Sequence, residues 1–236
     1  MIDKRSPSPA AAIADTRDGA TVMIGGFGEA GSPIELIHAL IDQGARDLTV
    51  ISNNTGSGRV GLAALIAAGR VARMICSYPR SANSMVFPEL FRAGKIALEL
   101  VPQGTLAERI RAGGAGIPAF YTPTAVGTVL GKGKETRAFN GRDYILEHAL
   151  HADLALVRAD RADIHGNLTY AKTARNFGPI MCMAADRAVV QAREVLPPGA
   201  LDPEGVVTPG VFVDRVVHVP EPAQESRLVK EGAVYP

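Results

Sequence analysis

The sequence predicts an open α/β fold, a mainly parallel sheet with helices on both faces, and three observations carry the prediction. Short apolar runs ending at glycine or asparagine recur along the chain, as strands buried on both faces require. Segments of helical periodicity, each of about ten residues, alternate with those runs. The 236 residues, 47% apolar and 21% charged, suit an ordinary globular chain with a substantial core. No linker or repeat divides it, so residues 1–236 are expected to form one domain.

Residues 10–16 suit a short helix before the turn Arg17-Asp18-Gly19, and 20–24 read as a buried strand ending at glycines. Ser32, Pro33 and Glu35 have the pattern of a capped helix start, with Ser32 as cap, Pro33 in the first turn and Glu35 closing a capping box. Ile34, Ile37, Leu40 and Ile41 keep helical spacing, and Gly44 fits the stop. The rhythm continues with a strand at 47–52, a helix at 60–68, a strand at 71–77, a helix at 85–93 and a strand at 96–101. A helix at 105–111 then runs into a glycine-rich loop at 112–118. Later strands are expected at 153–158, 167–170 and 188–194. Residues 220–236 are charged and aperiodic, and are expected to form a loose tail or interface arm.

A formal charge of +1 and 5% aromatic residues leave neither the basic surface nor the stacking platform that nucleic-acid partners need. No 18-residue apolar run is present and the first residues lack a signal-type apolar stretch. Cys76 and Cys182 lie in apolar surroundings and read as buried free thiols of a reducing compartment. A cytoplasmic protein without a membrane partner is expected. His148 and His151, three apart in a stretch read as helix, lack a third nearby ligand and are expected to be structural rather than metal-binding. His38 and His165 are read as structural too.

Gly26-Phe27-Gly28-Glu29-Ala30-Gly31 spells GxGxxG after a strand and before a helix, the setting of a dinucleotide-binding turn. Two features count against that use. The next strand ends in Ser52-Asn53-Asn54 with no acid for a ribose, and Pro33 removes an amide that a pyrophosphate would seek. An NADP site dispenses with the acid, so an NADP-binding oxidoreductase stays open beside a glycine loop that is only a tight turn.

Residues 18–33, from Asp18-Gly19 through Gly25-Gly26-Phe27-Gly28 to Ser32-Pro33, resemble the signature that opens the A component of family I coenzyme A-transferases. Leu48 to Gly56, Val101 to Phe120 and Ala174 to Met181 are similar to further family segments in the same order, and the resemblance covers nearly the whole chain. It implies a ping-pong transfer in which a glutamate forms an anhydride and then a glutamyl-CoA thioester, splitting a difficult exchange into easier steps. The family's glutamate stands in a Ser-Glu-Asn-Gly segment of the B component. No such segment occurs here, so this chain is expected to hold no catalytic nucleophile and to act only with a B component, in an A2B2 heterotetramer. No resident cofactor or metal is implied; the coenzyme A thioester is substrate.

For this chain the resemblance implies that the loop Gly25, Gly26, Phe27, Gly28, Glu29, Ala30 and Gly31 approaches the CoA or acyl group, where missing Cβ atoms permit close contact. Asn53, Asn54 and Gln103 follow strand ends, where open α/β sheets place ligands. Their amides would contact a carboxylate or oxyanion without adding charge; the plain alternative for Asn53-Asn54-Thr55-Gly56 is a turn. Gly113, Gly114 and Gly116 are candidates for a flap over the site, or for a helix stop. Cys76 to Arg80, Arg92 to Ile96 and Arg175 to Met181 look most like the bacterial A components acting on 3-oxoadipate. Arg80 is then the candidate contact for the distal carboxylate, its alternative being a solvated loop charge. Transfer from succinyl-CoA to 3-oxoadipate is the first expectation, and acetoacetate or acetate exchange the second.

Overall fold

The computed structural model describes residues 2–80 and 83–236. The chain opens with β1 (Arg5–Ser6) and α1 (Pro9–Ile13), the latter capped by Ser8, whose hydroxyl accepts from the Ala11 amide. Four strand–helix units follow: β2 (Thr21–Ile24) with α2 (Ile34–Gln43), β3 (Leu48–Ile51) with α3 (Gly61–Ala67), β4 (Val71–Cys76) with α4 (Val86–Arg92), and β5 (Ala97–Leu100) with α5 (Gln103–Gly114). Next come β6 (Ala119–Thr122), β7 (Thr136–Phe139) and β8 (Arg142–His148). The chain then returns through β9 (Leu154–Asp163), β10 (Leu168–Thr169), α6 (Gly178–Ala184), β11 (Ala188–Leu196), β12 (Arg215–His218) and α7 (Glu225–Lys230).

The main sheet runs β1-β12-β11-β9-β2-β3-β4-β5 and is parallel throughout, except that β10 pairs antiparallel with β9. Alternation within the strands builds two cores. Val22 and Ile24 of β2, and Leu154 and Leu156 of β9, face one core with α1, α2 and α3; Met23, Ala155 and Val157 face the other with α5 and α6. Strands sandwiched in this way must be apolar on both faces, which is why they read as continuous runs. The chain winds outward from β2 through β3 to β5 on one side and from β9 through β11 to β12 on the other. The topological switch point, where such sheets leave a crevice at the strand carboxyl ends, therefore lies between β2 and β9.

The start of α2 departs from expectation. Pro33 occupies the cap position, and no capping hydrogen bond from Ser32 forms. Gln191 of β11, fully buried, accepts from the Leu36 amide at 3.2 Å, and its own amide donates to Glu35. Glu35 also accepts from the Ala223 amide at 2.6 Å, so its carboxylate is used between elements and not in a capping box. An absent side-chain cap costs about 1 kcal/mol. Burial of Ile34, Leu36, Ile37 and Leu40 outweighs that at about 1.5–3 kcal/mol each. Gly44 closes the helix in the left-handed region, as its position predicts.

Three further expectations are corrected. Residues 112–114 are the last turn of α5, not a loop. His148 ends β8 and His151 lies beyond it, so no helix joins them. The strands of residues 119–148 and β12 have no counterpart in the sequence reading. β6, β8 and β7 form a separate antiparallel sheet whose residues are mostly half-buried or exposed, and weak burial leaves a weak apolar pattern. An ion network fastens this sheet to the main body. Arg109 of α5, 8% exposed, donates to the His148 carbonyl and to Glu99, each at 2.7 Å, and lies 3.8 Å from the buried Glu147 carboxylate. Lys134 bonds the other Glu147 oxygen, and Arg73 bonds Glu99. Burial raises the Glu99 carboxyl, but Arg109 and Arg73 more than offset it and hold it below the ordinary range.

The tail also folds back. Tyr235 stacks on His38 with ring centres 3.6 Å apart, and its hydroxyl donates to Asp42 at 2.6 Å. His38 accepts the Gly61 amide through Nε2, which fixes a neutral ring, and burial lowers its pKa in the same sense. Glu225 is 4% exposed and accepts from the Ser57 amide at 3.1 Å. The expected loose arm is a strap across α2 and α3.

Two outcomes follow for stability. Arg109→Met should lower the unfolding free energy by about 3 kcal/mol, because the Glu147 charge stays buried with one cation; urea denaturation measures it. Glu225 is pushed above the ordinary carboxyl range, by burial first and with Glu29 adding to it, against the hydrogen bond from Ser57. Lys230 lines the same cleft but forms no ion pair with it among the described residues. A folded-state pKa raised above the unfolded value gives stability present at low pH and lost as pH rises through the folded value. Glu225→Gln keeps an acceptor and has no proton to lose. Its Tm should therefore exceed that of the parent by more at pH 8 than at pH 5.

Candidate active site

Four strand ends converge on one cavity of about 600 Å³. β2 supplies Phe27 and Gly28, β3 supplies Asn53, Asn54, Gly56 and Ser57, β4 supplies Ser77, Tyr78 and Arg80, and the step from β5 to α5 supplies Gln103. Parallel strands must point the same way, so their carboxyl ends form one rim and the loops leaving them become neighbours.

Asn53 is the organising side chain. It is 4% exposed, and its Oδ1 accepts from Ser77 Oγ at 2.6 Å and from Gln103 Nε2 at 2.7 Å. The Asn53 carbonyl holds the amides of Ser77 and Tyr78. The Asn53 Oδ1 is thus doubly engaged, and Nδ2 is the donor end of the same side chain. Asn54 uses its Oδ1 to accept from the Gly56 amide at 2.8 Å, an Asx turn. Asn54 thus makes the turn, while Asn53 joins three strand ends through hydrogen bonds to Ser77 and Gln103. Gln103 reaches the cavity as expected, from the first turn of α5.

The glycine loop divides by function. Phe27 and Ala30 exchange backbone hydrogen bonds, so the loop curls tightly and puts Gly28 at its tip. Gly28 has φ +58° and a Cβ there would meet open space, so this glycine leaves room in the cavity. Gly31 serves the opposite end: a Cβ would stand 2.7 Å from the Ala174 carbonyl oxygen. Asn176 Nδ2 donates to the Ala30 carbonyl at 2.8 Å, so the segment after β10 packs on the loop at the switch point. Gly25 continues the sheet by donating to Leu156. Glu29 turns away from the cavity and accepts from the Ser226 amide at 2.8 Å. Of the seven loop residues singled out in the sequence, Phe27 and Gly28 line the cavity.

A dinucleotide would find little at this turn. Pro33 has no amide, the Leu36 amide is taken by Gln191, and Gly31 is pressed against protein.

The expected flap is not one. A Cβ on Gly113 would come 2.1 Å from the Leu150 carbonyl oxygen, and one on Gly114 would come 2.6 Å from the Met183 side chain. These two glycines let α5 pack tightly, while Gly116 turns the chain beyond it at φ +70°. None of the three lines the cavity. Conversely, Gly56, Ser57, Ser77 and Tyr78 line it although the sequence did not single them out. The signal for Ser77 and Tyr78 was their position just past a strand end, the rule that found Asn53.

Amides, hydroxyls, a phenol and one guanidinium supply the polar groups of a cavity that is otherwise apolar. Arg80 is its one formally charged lining residue and forms no ion pair among the described residues. Cys76, at the end of β4, is pushed up to about 12 by burial, as is Cys182; neither thiol ionises near neutral pH, so neither is a nucleophile. No carboxylate lines the cavity among the described residues. No described helix is long and apolar enough to cross a membrane.

The family model described as Coenzyme A transferase matches residues 7–219. Over 226 residues the chain is 58% identical to the A component of the 3-oxoadipate CoA-transferase of Pseudomonas putida, covering 96% of this chain and 98% of that protein. It is 49% identical over 232 residues to the A component of the succinyl-CoA:3-ketoacid coenzyme A transferase of Xanthomonas campestris, covering 97% and 95%. Among solved structures, an acyl-CoA transferase apoenzyme from Escherichia coli O157:H7 superposes with a TM-score of 0.83 at 24% identity. That likeness covers 94% of this chain and 48% of the other and bears on the fold. The four segments that resembled a known family include the loops after β2 and β3, the step from β5 to α5 and the segment that packs on the glycine loop before α6, and with these matches the chain belongs to the coenzyme A transferase family.

Proposed function

We propose that this chain is the A component of a coenzyme A-transferase that moves CoA from succinyl-CoA to 3-oxoadipate, working in the cytoplasm as an A2B2 assembly. The observation that carries this reading is what the cavity offers an anionic acyl group, side-chain amides and a guanidinium; among the described residues no carboxylate lines it. A glutamate from the B component is the missing group. Its carboxylate attacks the succinyl thioester carbonyl and releases the CoA thiolate, which then attacks the enzyme's side of the anhydride and frees succinate. The acceptor's carboxylate reverses the sequence and leaves as its CoA thioester. Each attack places negative charge on a carbonyl oxygen, and a fixed, neutral donor such as Asn53 Nδ2 stabilises it without reorganising. Ser77 and Gln103 hold that amide in place.

Two features favour 3-oxoadipate as acceptor. Arg80 stands at the cavity wall without an ion-pair partner among the described residues, suited to a second carboxylate. The relative named for 3-oxoadipate shares more of this sequence than the one named for 3-ketoacids.

The purified chain alone should give no succinyl-CoA-dependent transfer, and adding the B component should restore it; turnover by rigorously isolated chain would place the nucleophile here instead. Within the complex, Arg80→Met should lower kcat/KM for 3-oxoadipate on the order of 10- to 100-fold, since a charge-assisted contact is worth roughly 1.5–3 kcal/mol. Acetoacetate has no carboxylate at that end and should react nearly as before. Equal losses on both substrates would remove Arg80 from the site.

A further inference from the structure

Ser57 stands in the wall between the acyl cavity and a smaller cleft of about 350 Å³ lined by Glu29, Glu225, Ser226 and Lys230. The two loops that bound the acyl cavity are both tied across this wall to the carboxyl-terminal strap. On the β3 side, the Ser57 amide donates to Glu225 at 3.1 Å. A Cβ on Gly58 would come 2.6 Å from the Val229 side chain, so α7 packs against the segment directly. The Tyr235 amide donates to the Arg59 carbonyl at 2.9 Å. On the β2 side, Glu29 accepts from the Ser226 amide at 2.8 Å. One short helix thus holds the loop carrying Gly28 and the loop running from Asn53 to Gly58.

Residues 54–61 are held from other directions as well: the Gly58 amide donates to the Asn83 carbonyl at 2.9 Å, Ser84 Oγ donates to the Gly58 carbonyl at 3.0 Å, and the Gly61 amide donates to His38. They are rich in glycine, with positive φ at Gly56, Gly58 and Gly61, and such a segment has many conformations to choose from when unrestrained. The Glu225 carboxylate is a poor choice for burial unless it does something: it is 4% exposed and has no ion pair among the described residues. A leucine there would pack at less cost. What the carboxylate does is accept the Ser57 amide, next to Gly56 in the cavity wall.

We propose that the carboxyl-terminal strap is part of the substrate site, with Glu225 a positioning residue that fixes the 53–58 wall and Glu29 the anchor that joins the glycine loop to the same strap. This rests on reading the 600 Å³ cavity as the acyl site. Glu225 touches no substrate; it acts through Ser57 and Gly56, and so on the setting of Asn53 and Asn54.

The test uses the complex assembled with its B component. In Glu225→Ala, kcat/KM for 3-oxoadipate should fall about tenfold, and Glu225→Gln, which keeps an acceptor, should recover most of it. Hydrogen–deuterium exchange adds a readout that general destabilisation does not mimic. Peptides covering 53–61 should exchange about tenfold faster in Glu225→Ala, while those covering β9 stay unchanged. Unchanged exchange at 53–61, or a Gln variant as impaired as Ala, would overturn the proposal. If Glu225→Ala fails to assemble, Glu29→Ala decides the matter from an exposed position. Faster exchange across 220–236 with reduced turnover supports the strap, and no change in either overturns it. A parent complex without transferase activity would sink the functional reading, while the exchange comparison would still test the strap.

Discussion

Parallel pairing of β2 with β9 is the contact from which the rest of this molecule is laid out. Val22 pairs with Leu154 and Ile24 with Leu156, and the Gly25 amide extends the ladder by one more bond. Strands from the two halves of the chain meet there, and each half then winds away from the other. A crevice at their carboxyl ends is the geometric result. The glycine loop leaves β2 at that point and must turn at once, because the Ala174–Asn176 segment occupies the space beside it. Moving either strand by one residue would turn the inward face of each into its outward face and exchange the two cores.

Around the cavity, rigidity comes from hydrogen bonds that do not touch a ligand. Asn53 is held by Ser77 and Gln103, from two other strand ends, so three loops must all be in place before one amide is aimed. A network of this kind is worth more than its separate bonds. It also keeps the chemistry neutral. On the proposed reading an anionic acyl group and an anionic attacking group share this space, and a full positive charge beside both would hold the ground state as firmly as the transition state. Arg80 lines the same cavity but takes no part in the Asn53 network, and on that reading its charge recognises a distant end of the substrate.

The parallel sheet was legible because strands buried on both faces are apolar runs and their helices are amphipathic. β2 to β5, with the helices that follow them, lie within two or so residues of where the pattern puts them. The site was legible through topology: Asn53 and Gln103 follow strand ends, and the strand ends share a rim. What could not be read was what depends on contacts remote in sequence. Gln191 caps α2 from β11, two strands away from β2 in the sheet, so Ser32 makes no cap and Glu35 is used elsewhere. The sheet formed by β6, β7 and β8 is too exposed to leave an alternating pattern, and the helix read across His148 and His151 arose from that gap. Gly113 and Gly114 look like flexibility in the sequence and are close packing in the fold. The tail carries no periodicity because its one helix is short and it is held by single residues, Glu225 of that helix on Ser57 and Tyr235 beyond it on His38.

That tail has a bearing on how the molecule is made. Glu29 meets Ser226, and Asp42 meets Tyr235, at sequence separations of 197 and 193. A chain emerging from the ribosome builds its sheet from the amino-terminal end, yet the wall beside Ser57 is closed by residues that follow every strand of that sheet. Contacts of such long separation form slowly because the intervening chain must be ordered first. A nascent chain made only as far as β12 therefore has nearly all of its hydrophobic core and an unfinished cavity, and it is the arrival of residues 225–235 that completes the wall.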